Sequence, residues 1–420
     1  MKPTLRSYKN LCLLLLMMNP AWSYAEEGFS FGGYFRAGTN LLTGGGTENG
    51  GSCYALIHPS NDGFHYRLGN ECRDYAEFRF AKNLKENDLD FNLVWMIDIA
   101  GDSRSPTSTE EWSRRSRQLY VDVTGLLDNG TLWIGRRYYH SVVFGDLHMV
   151  DMFPVQSSGN GVGITDFRYG EDTRLHFALV AYGDDSEEED NSFNYQNLLF
   201  DLRSETDFGS LGVLKLGLQH LEPREAFDDI EREPGTTLTI QWEKAFGFVD
   251  QKTLVQVGTG SMAENPGCAG TDGGCFDLSA EGGDRGYRVA NHGMVEASAR
   301  VIMNYTVVYE KSEDHRELTS VGVRPHYVLG RYWSLVAELS QVEESLEGPE
   351  DDTAGQRLVK ATLALQATPD AYDFWKRPAL RFYISQFHWN DAARRISRLG
   401  APAESDNEAL LLGVQTEVWF

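Results

Sequence analysis

Hydrophobicity in this chain alternates residue by residue. In the last segment Leu410, Leu412, Val414, Thr416, Val418 and Phe420 fall on one face, and Leu411, Gly413, Gln415, Glu417 and Trp419 on the other. Residues 91–99 set Phe91, Leu93, Trp95, Ile97 and Ile99 against Asn92, Val94, Met96 and Asp98. Leu214, Leu216 and Leu218 oppose Lys215 and Gln219. Leu380, Phe382 and Ile384 oppose Arg381, Tyr383, Ser385, Phe387 and Trp389. A period of two belongs to strands. No run of 18 apolar residues follows residue 25, so spanning helices are excluded. Strands with one apolar and one polar face suit a closed transmembrane barrel, with lipid outside and an aqueous lumen inside. A soluble β-sandwich would need inner faces more apolar than Arg381 and Ser385, or Gln415 and Glu417.

The first 25 residues read as an export signal. Lys2, Arg6 and Lys9 precede an apolar run from Leu11 to Met18, and Ser23-Tyr-Ala25 places small residues before a cleavage point after Ala25. A short membrane anchor is the alternative. Cys12 lies inside the apolar run without small residues before it, so no lipoprotein anchor is read. Residues 26–420 then form a single barrel domain, since no Pro/Gly/Ser-rich linker divides them. The net charge is −24, and removal of the three basic residues of the signal makes the remainder more acidic still. That charge disfavours nucleic acid as a partner, because phosphates attract clustered positive charge.

Glycine-rich and acidic stretches separate the strands. Gly44–Gly46, Asp184–Asp190, Ala263–Gly286 and Val342–Gly355 read as long external loops, and Asp128-Asn-Gly130 as a tight turn at the other rim. Cys53, Cys72, Cys268 and Cys275 are an even set in an exported chain, which suggests two disulfides. Nearest neighbours give 53 with 72 and 268 with 275. No histidines crowd them, so a metal site is the weaker reading. No cofactor is expected to be required. The loops offer oxygen ligands of the kind calcium takes, although runs such as Glu187–Asp190 are more often simply solvated.

The chain holds 19 Tyr, 22 Phe and nine Trp, enough for girdles at both membrane interfaces. Several rings fall in the polar register instead. If Phe29, Phe31 and Phe35 meet lipid, Tyr34 and Arg36 point inward. Phe78 and Phe80 outward would put Arg73, Tyr75, Glu77 and Arg79 inside. Arg381, Phe387 and Trp389 share the inner register, as do Glu417 and Trp419. A lumen with aromatic rings beside arginine and glutamate suits sugars. A pyranose has an apolar face to stack, and its hydroxyls bond well to charged groups. Solute passage needs such contacts to be weak and repeated. The simpler account is that these rings belong to the rim girdles.

Several blocks support a closer identification. They are Gly33-Tyr-Phe-Arg-Ala-Gly38, Tyr66-Arg-Leu-Gly-Asn-Glu-Cys-Arg-Asp-Tyr-Ala-Glu77, Leu132-Trp-Ile-Gly-Arg-Arg-Tyr-Tyr139, Asp146-Leu-His-Met-Val-Asp151, Asn291-His-Gly293, Val321-Gly-Val-Arg-Pro325, Arg377-Pro-Ala-Leu-Arg381 and Gln415-Thr-Glu-Val-Trp419. In this order they resemble the maltoporin family of sugar porins. The resemblance implies an 18-stranded antiparallel barrel with an inward-folded constriction loop, assembled as a homotrimer in the outer membrane of a Gram-negative bacterium. It implies passive, facilitated diffusion of maltose and longer α-1,4-glucans.

Position by position, the resemblance places Tyr34, Tyr75, Phe276, Trp389 and Trp419 on an aromatic slide and at the constriction. It places Arg36, Arg67 and Arg117 on a charged track, Asp146 and Asp151 on the constriction loop, and Cys53 and Cys72 in a first-loop disulfide. Departures bear on selectivity. Tyr139-His-Ser-Val-Val-Phe-Gly145 lengthens the constriction loop, and the arginine expected before Asp146 is absent. Phe153 stands where a tyrosine is expected and lacks its hydroxyl. Trp112 is a weak counterpart of a second-loop slide tryptophan, and Cys268 and Cys275 lie outside the pattern. Lost positive charge at the constriction favours neutral or cationic solutes.

Other function classes fit less well. A general or weakly selective diffusion porin, or a porin for another oligosaccharide, is the nearest alternative. A barrel enzyme would need a nucleophile and its base near the rim. His148 stands near Asp146 and Asp151, but no strained glycine-rich elbow marks a nucleophile. An energy-coupled receptor would carry a plug before the barrel, and the first strand starts too soon after the cleavage point for one. An adhesin would have to act through the acidic loops.

Overall fold

The computed structural model describes residues 28–43, 54–56, 66–71, 73–102, 113–145, 147, 149–150, 152–182, 197–223, 233–270, 283–312, 316–346, 355–397, 399 and 407–420. The strands are β1 (Phe29–Thr43), β2 (Arg73–Glu86), β3 (Leu89–Asp102), β4 (Ser113–Thr124), β5 (Thr131–Arg137), β6 (Gln156–Tyr169), β7 (Thr173–Tyr182), β8 (Asn197–Asp207), β9 (Val213–Pro223), β10 (Gly235–Phe246), β11 (Val249–Gly260), β12 (Cys268–Gly270), β13 (Gly283–Ser298), β14 (Val301–Ser312), β15 (Arg316–Val328), β16 (Trp333–Leu346), β17 (Gln356–Ala367), β18 (Ala379–Trp389) and β19 (Glu408–Trp419). Each pairs antiparallel with its neighbour in sequence, except that β11 pairs directly with β13 and β12 stands apart. The first and last strands close the ring, with Tyr34 opposite Trp419. Setting β12 aside, this is an 18-stranded antiparallel closed barrel.

Alternation decides which face meets which medium. Phe29, Phe31, Trp95, Leu216, Leu363 and Phe382 are exposed on the outer wall, while Asp98, Lys215, Gln219, Ser385 and Gln415 are buried on the inner one. A membrane holds no water for unpaired backbone groups, so closure, which leaves no edge strand, is what makes such a sheet stable there. At the closure Gly33 donates to the Phe420 carbonyl at 2.9 Å. A side chain at Gly33 would press on the Phe420 ring, at 2.9 Å. Short connections occupy one rim, as at 87–88 and 247–248, where Gly247 has φ of 66°. The turn around Asp128-Asn-Gly130 joins β4 to β5, with Gly130 at φ 93°.

Two segments from the opposite rim pack against the inner wall. Between β5 and β6, Val143, Phe144, Leu147, Met149, Val150, Met152 and Val155 are buried with Leu254, Ala290 and Val308. Each such aliphatic side chain contributes about 1.5–3 kcal/mol when fully buried. Polar wall residues hold the segment's backbone. Arg203 donates to the Tyr139 carbonyl at 2.7 Å, Lys215 to Val143 at 2.5 Å, Gln241 to Phe144 at 3.2 Å and Gln256 to Pro154 at 2.8 Å. The second segment, 66–71, is held from β15 to β19. Lys360 donates to the carbonyls of Tyr66 at 2.5 Å and Leu68 at 2.6 Å, and Ser385 to that of Gly69 at 3.0 Å. Tyr66 also joins the apolar cluster of the first segment.

The stretch Ala263–Gly286, read from sequence as an external loop, differs at both ends. Ala263 and Asn265 are buried, and β12 pairs parallel with Gln156–Ser158 of β6. The buried Arg288 supplies the donors that this glycine-rich stretch needs, bonding the Pro266 carbonyl at 2.5 Å and the Asn265 side chain. Gly283–Gly286 belong to β13. Likewise Val342–Leu346 continue β16 rather than opening a loop.

Candidate functional site

The seam between β19, β1 and β2 brings the inward aromatic and charged residues together. Register sets Tyr34 opposite both Glu77 and Trp419, and Arg36 opposite Tyr75 and Glu417. The Tyr34 and Tyr75 ring centroids are 6.2 Å apart. The Arg36 guanidinium lies 4.9 Å from the Tyr75 ring centre and 5.9 Å from that of Tyr34. The Tyr34 hydroxyl donates to Glu417 at 3.3 Å, and that of Tyr75 donates to Glu77. Rings and carboxylates are therefore held in fixed relation at this seam.

The arginines are paired with buried carboxylates. Arg36 and Arg67 both reach the same Glu71 oxygen, at 3.5 and 3.1 Å. Gln415 donates to the other Glu71 oxygen at 3.3 Å. Arg117 bonds Asp98 at 2.5 Å. It points inward because the pairing of β3 with β4 steps from Met96–Gln118 to Ile97–Ser116, leaving Arg117 as the extra residue of a bulge. Paired in this way, each arginine is held in place by a carboxylate through a charge-assisted bond.

Across the seam, the turn between β17 and β18 supplies a ring that sequence reasoning missed. Trp375 lies 6.4 Å from Trp419, and Phe374 packs edge-on against Trp375 at 4.8 Å. The Arg377 guanidinium sits 3.9 Å from the Trp419 ring centre and bonds Glu417 at 3.0 Å. Arg381 bonds the same Glu417 oxygen at 2.9 Å. Trp389 stands elsewhere. It is 2% exposed and stacked on Tyr54 at 5.3 Å, and Tyr54 also contacts Phe387 at 4.8 Å. Its face meets another side chain of this chain rather than the lumen.

On the inward segment, Tyr138 and His140 are 4.9 Å apart, and His140 and Phe153 4.0 Å. His140 is buried, while Tyr138 and Phe153 are half-buried. Burial, with Arg203 and Arg117 nearby, lowers the His140 pKa to about 3, so the imidazole is neutral. Asp146, Asp151, Phe276, Cys53, Cys72, Cys275, Trp112 and the signal segment lie outside the described residues. Cys268 begins β12, but its side chain is also outside them. Among the described residues, no group of His, Cys, Asp and Glu is arranged to hold a metal ion.

The missed residues had weak signals. Trp375 sits in a turn, where no period of two assigns a face. Glu71 lies in a loop segment whose role emerges only when it meets Arg36 and Arg67. His140 falls in the lengthened stretch before Asp146, where nothing gives a register.

Comparison with known proteins gives a consistent result. Residues 29–420 match the family model described as LamB porin. A maltoporin of Hahella chejuensis is 27% identical over 374 residues, covering 84% of this chain and 85% of its own. Maltoporin 1 of Klebsiella pneumoniae is 27% identical over 421 residues, covering 93% and 92%. Among solved structures, OccAB1 of Acinetobacter baumannii matches with a TM-score of 0.55 and 10% identity, over 96% of this chain and 99% of that one. OccK9 of Pseudomonas aeruginosa matches with a TM-score of 0.51 at 10% identity, over 94% and 98%. Likeness at this identity speaks to the fold alone.

Proposed function

Because this chain belongs to the LamB porin family of non-catalytic outer-membrane channels, we propose that it passes maltose and maltodextrins by facilitated diffusion. The observation that carries this reading is the series Tyr34, Tyr75, Trp419 and Trp375, flanked by Arg36, Arg377, Glu77 and Glu417. The rings stack on the apolar faces of successive pyranoses. The guanidinium groups donate to sugar hydroxyls and the carboxylates accept from them. Each contact is weak, on the order of 1 kcal/mol as between aromatic pairs, so a chain exchanges one set for the next without a deep trap. No reaction, cofactor or coupling energy enters.

The segment from Tyr139 to Val155 narrows the channel in this reading, and the constriction roles expected of Asp146 and Asp151 belong to it. Its packing against Leu254, Ala290 and Val308 supports that role. Trp389, closed over by Tyr54, acts in packing, and Trp375 takes the place beside Trp419. Export through residues 1–25, a disulfide between Cys53 and Cys72, another between Cys268 and Cys275, and assembly as a homotrimer belong to the same proposal. The maltoporins of Hahella chejuensis and Klebsiella pneumoniae support the choice of sugar.

The test is single-channel conductance of the purified protein in a planar bilayer, titrated with maltose, maltotriose and longer maltodextrins. Saturable block that tightens with chain length is expected. Unblocked ion current with every α-glucan would overturn the assignment and leave a general porin or a channel for another sugar.

A further inference from the structure

Alternation assigns faces at one end of β13 and β14. Gly286, Arg288 and Ala290 are buried inward, so Arg285, Tyr287 and Val289 point outward. Val308, Glu310 and Ser312 are likewise buried, which turns Val307, Tyr309 and Lys311 outward. Lys311 stands directly opposite Tyr287, and Arg285 is the next outward residue of the same strand. Diagonal neighbours of this kind lie about 7–8 Å apart, within reach of long side chains. Both cations are exposed, and Tyr287 is half-buried.

Inward cations on these strands are paired, Arg288 with Glu310 and Arg316 with both Glu310 and Glu344. Among the described residues, the side chains of Arg285, Lys311 and Tyr287 have no hydrogen-bond or ion-pair partner. The carboxylate opposite Lys311 is Glu317 of β15, which accepts from the Tyr309 hydroxyl at 3.2 Å. The turn at 299–300 joins β13 to β14 on the rim of short connections, so Arg285 and Lys311 lie at the other end. Short turns of outer-membrane barrels are periplasmic, which places the two cations at the outer leaflet. Farther down the same face stand Val289 and Val307, with Val255 of β11 opposite Val289, each exposed by 41–45%.

We propose that Arg285, Lys311 and the Tyr287 hydroxyl hold the phosphate of an outer-leaflet lipid, whose acyl chains lie along Val255, Val289 and Val307. The inference rests on the outer-membrane location and not on which solute the channel passes. An amphiphile matches this order of groups. Guanidinium and ammonium bind phosphate oxygens through charge-assisted bonds, and the phenol adds a further donor. Such bonds are stronger at the edge of hydrocarbon than in bulk water. The valines offer acyl chains an apolar surface that a free anion would leave unused. The whole chain carries a net charge of −24, so general attraction for anions is not the source of binding. The local cations are.

The experiment equilibrates the full-length channel in detergent with bisphosphorylated lipid A, with the same lipid stripped of its phosphates, and with inorganic phosphate as competitor. Bound lipid is counted by native mass spectrometry. Wild type is compared with Arg285→Gln, Lys311→Gln, the double variant, Glu317→Gln, and Lys244→Gln on the outer face near the opposite rim. Wild type should prefer the phosphorylated lipid by about tenfold. Each single variant should lower that preference, and the double variant should abolish it. Lys244→Gln should keep it, and Glu317→Gln, which removes the opposing charge, should raise it. The positions are exposed, and the single variants stand as the test if the double one fails to insert. A preference unchanged in the Arg285 and Lys311 variants, or absent in wild type, overturns the site. Displacement of the lipid by equimolar inorganic phosphate makes it a free-anion site and overturns the lipid assignment. A changed number of copies per assembly in the double variant, with lipid binding unchanged, makes the patch a contact between copies and overturns it as well. Sugar block should be the same in every variant, so failure here and failure of the sugar-channel reading are separately visible.

Discussion

The guanidinium carbon of Arg377 lies 3.9 Å from the centre of the Trp419 ring, while its nitrogen bonds Glu417 at 3.0 Å. Arg377 also donates to the carbonyls of Phe374 at 3.0 Å and Lys376 at 3.2 Å. One side chain therefore ties the turn that carries Trp375 to the strand that carries Trp419. Cation–π contacts of this kind are worth about 0.5–2 kcal/mol. Arg377→Ala is expected to weaken maltotriose block by roughly tenfold, the equivalent of about 1.4 kcal/mol. Arg377→Lys should recover only part, since an ammonium lacks the planar fork that serves ring, carboxylate and carbonyls together. Equal block in all three channels would show that the turn does not depend on this contact.

The inward segment rests on a buried ion pair. Arg203 and Asp201 have fully buried side chains and bond at 2.6 Å, and Arg203 also holds the Tyr139 carbonyl. Removing one member of such a pair strands the other charge, at a cost of about 3–5 kcal/mol. Arg203→Ala should loosen the segment. The expected result is a larger, noisier single-channel conductance and a lower temperature for loss of the folded gel band. A quiet channel of wild-type conductance would exclude this anchoring role.

Acid should act on the same segment through His140. Its folded pKa is about 3, against an ordinary value near 6.5. The folded form resists protonation and the released form does not. Packing of the segment is thus fully stable above about pH 6.5 and loses stability progressively below that, until about pH 3. Conductance noise in the wild-type channel should rise as pH falls through this window. In His140→Phe, with no group to protonate, the rise should be smaller. Identical pH profiles would remove His140 from the account.

The outline of the barrel was legible because alternation is a direct record of two media. Lys215 and Gln219 could be placed opposite Leu214, Leu216 and Leu218 from sequence alone, and they are buried on the inner wall. Tyr34 and Arg36 were found for the same reason. What alternation cannot encode is a segment that leaves the sheet and returns to its inner face. Ala263 to Gly286 reads as a solvated loop because glycine and acidic residues dominate it, yet the buried Arg288 holds the Pro266 carbonyl and the Asn265 side chain from the wall. Trp389 has the inward register that sequence predicts, but register does not say whether another ring covers it. Tyr54, separated by 335 positions, does so.

A glycine opposite the second inward segment gives a separate test. A side-chain carbon at Gly322 would fall 2.1 Å from Cε1 of Tyr66, whose hydroxyl bonds Ser320 at 2.9 Å. Gly322→Ala must therefore displace the Tyr66 ring, since backbone and ring cannot both stay. The displacement carries Arg67 and Glu71 with it, and so disturbs Arg36. Weaker sugar block with a changed ion selectivity is the expected outcome. A channel identical to wild type in both properties would show that the Tyr66–Glu71 segment does not set the position of Arg36.

The two tryptophans separate stability from solute contact. Trp389 is stacked under Tyr54 and 2% exposed, so Trp389→Ala opens a cavity in a packed cluster. Large aromatic-to-alanine changes of this kind cost about 3–5 kcal/mol, and the loss should appear as a lower temperature for disappearance of the folded gel band. Sugar block should change little in the molecules that fold. Trp375 is half-buried in a turn beside Trp419, so Trp375→Ala removes a stacking surface and little packing. It should weaken maltodextrin block, more for long chains than for maltose, with folding stability near wild type. Longer chains discriminate because only they engage Tyr34, Trp419 and Trp375 together. If Trp389→Ala instead abolishes block at unchanged stability while Trp375→Ala leaves block intact, the sugar path runs through Trp389, and Tyr54 must move aside when sugar arrives.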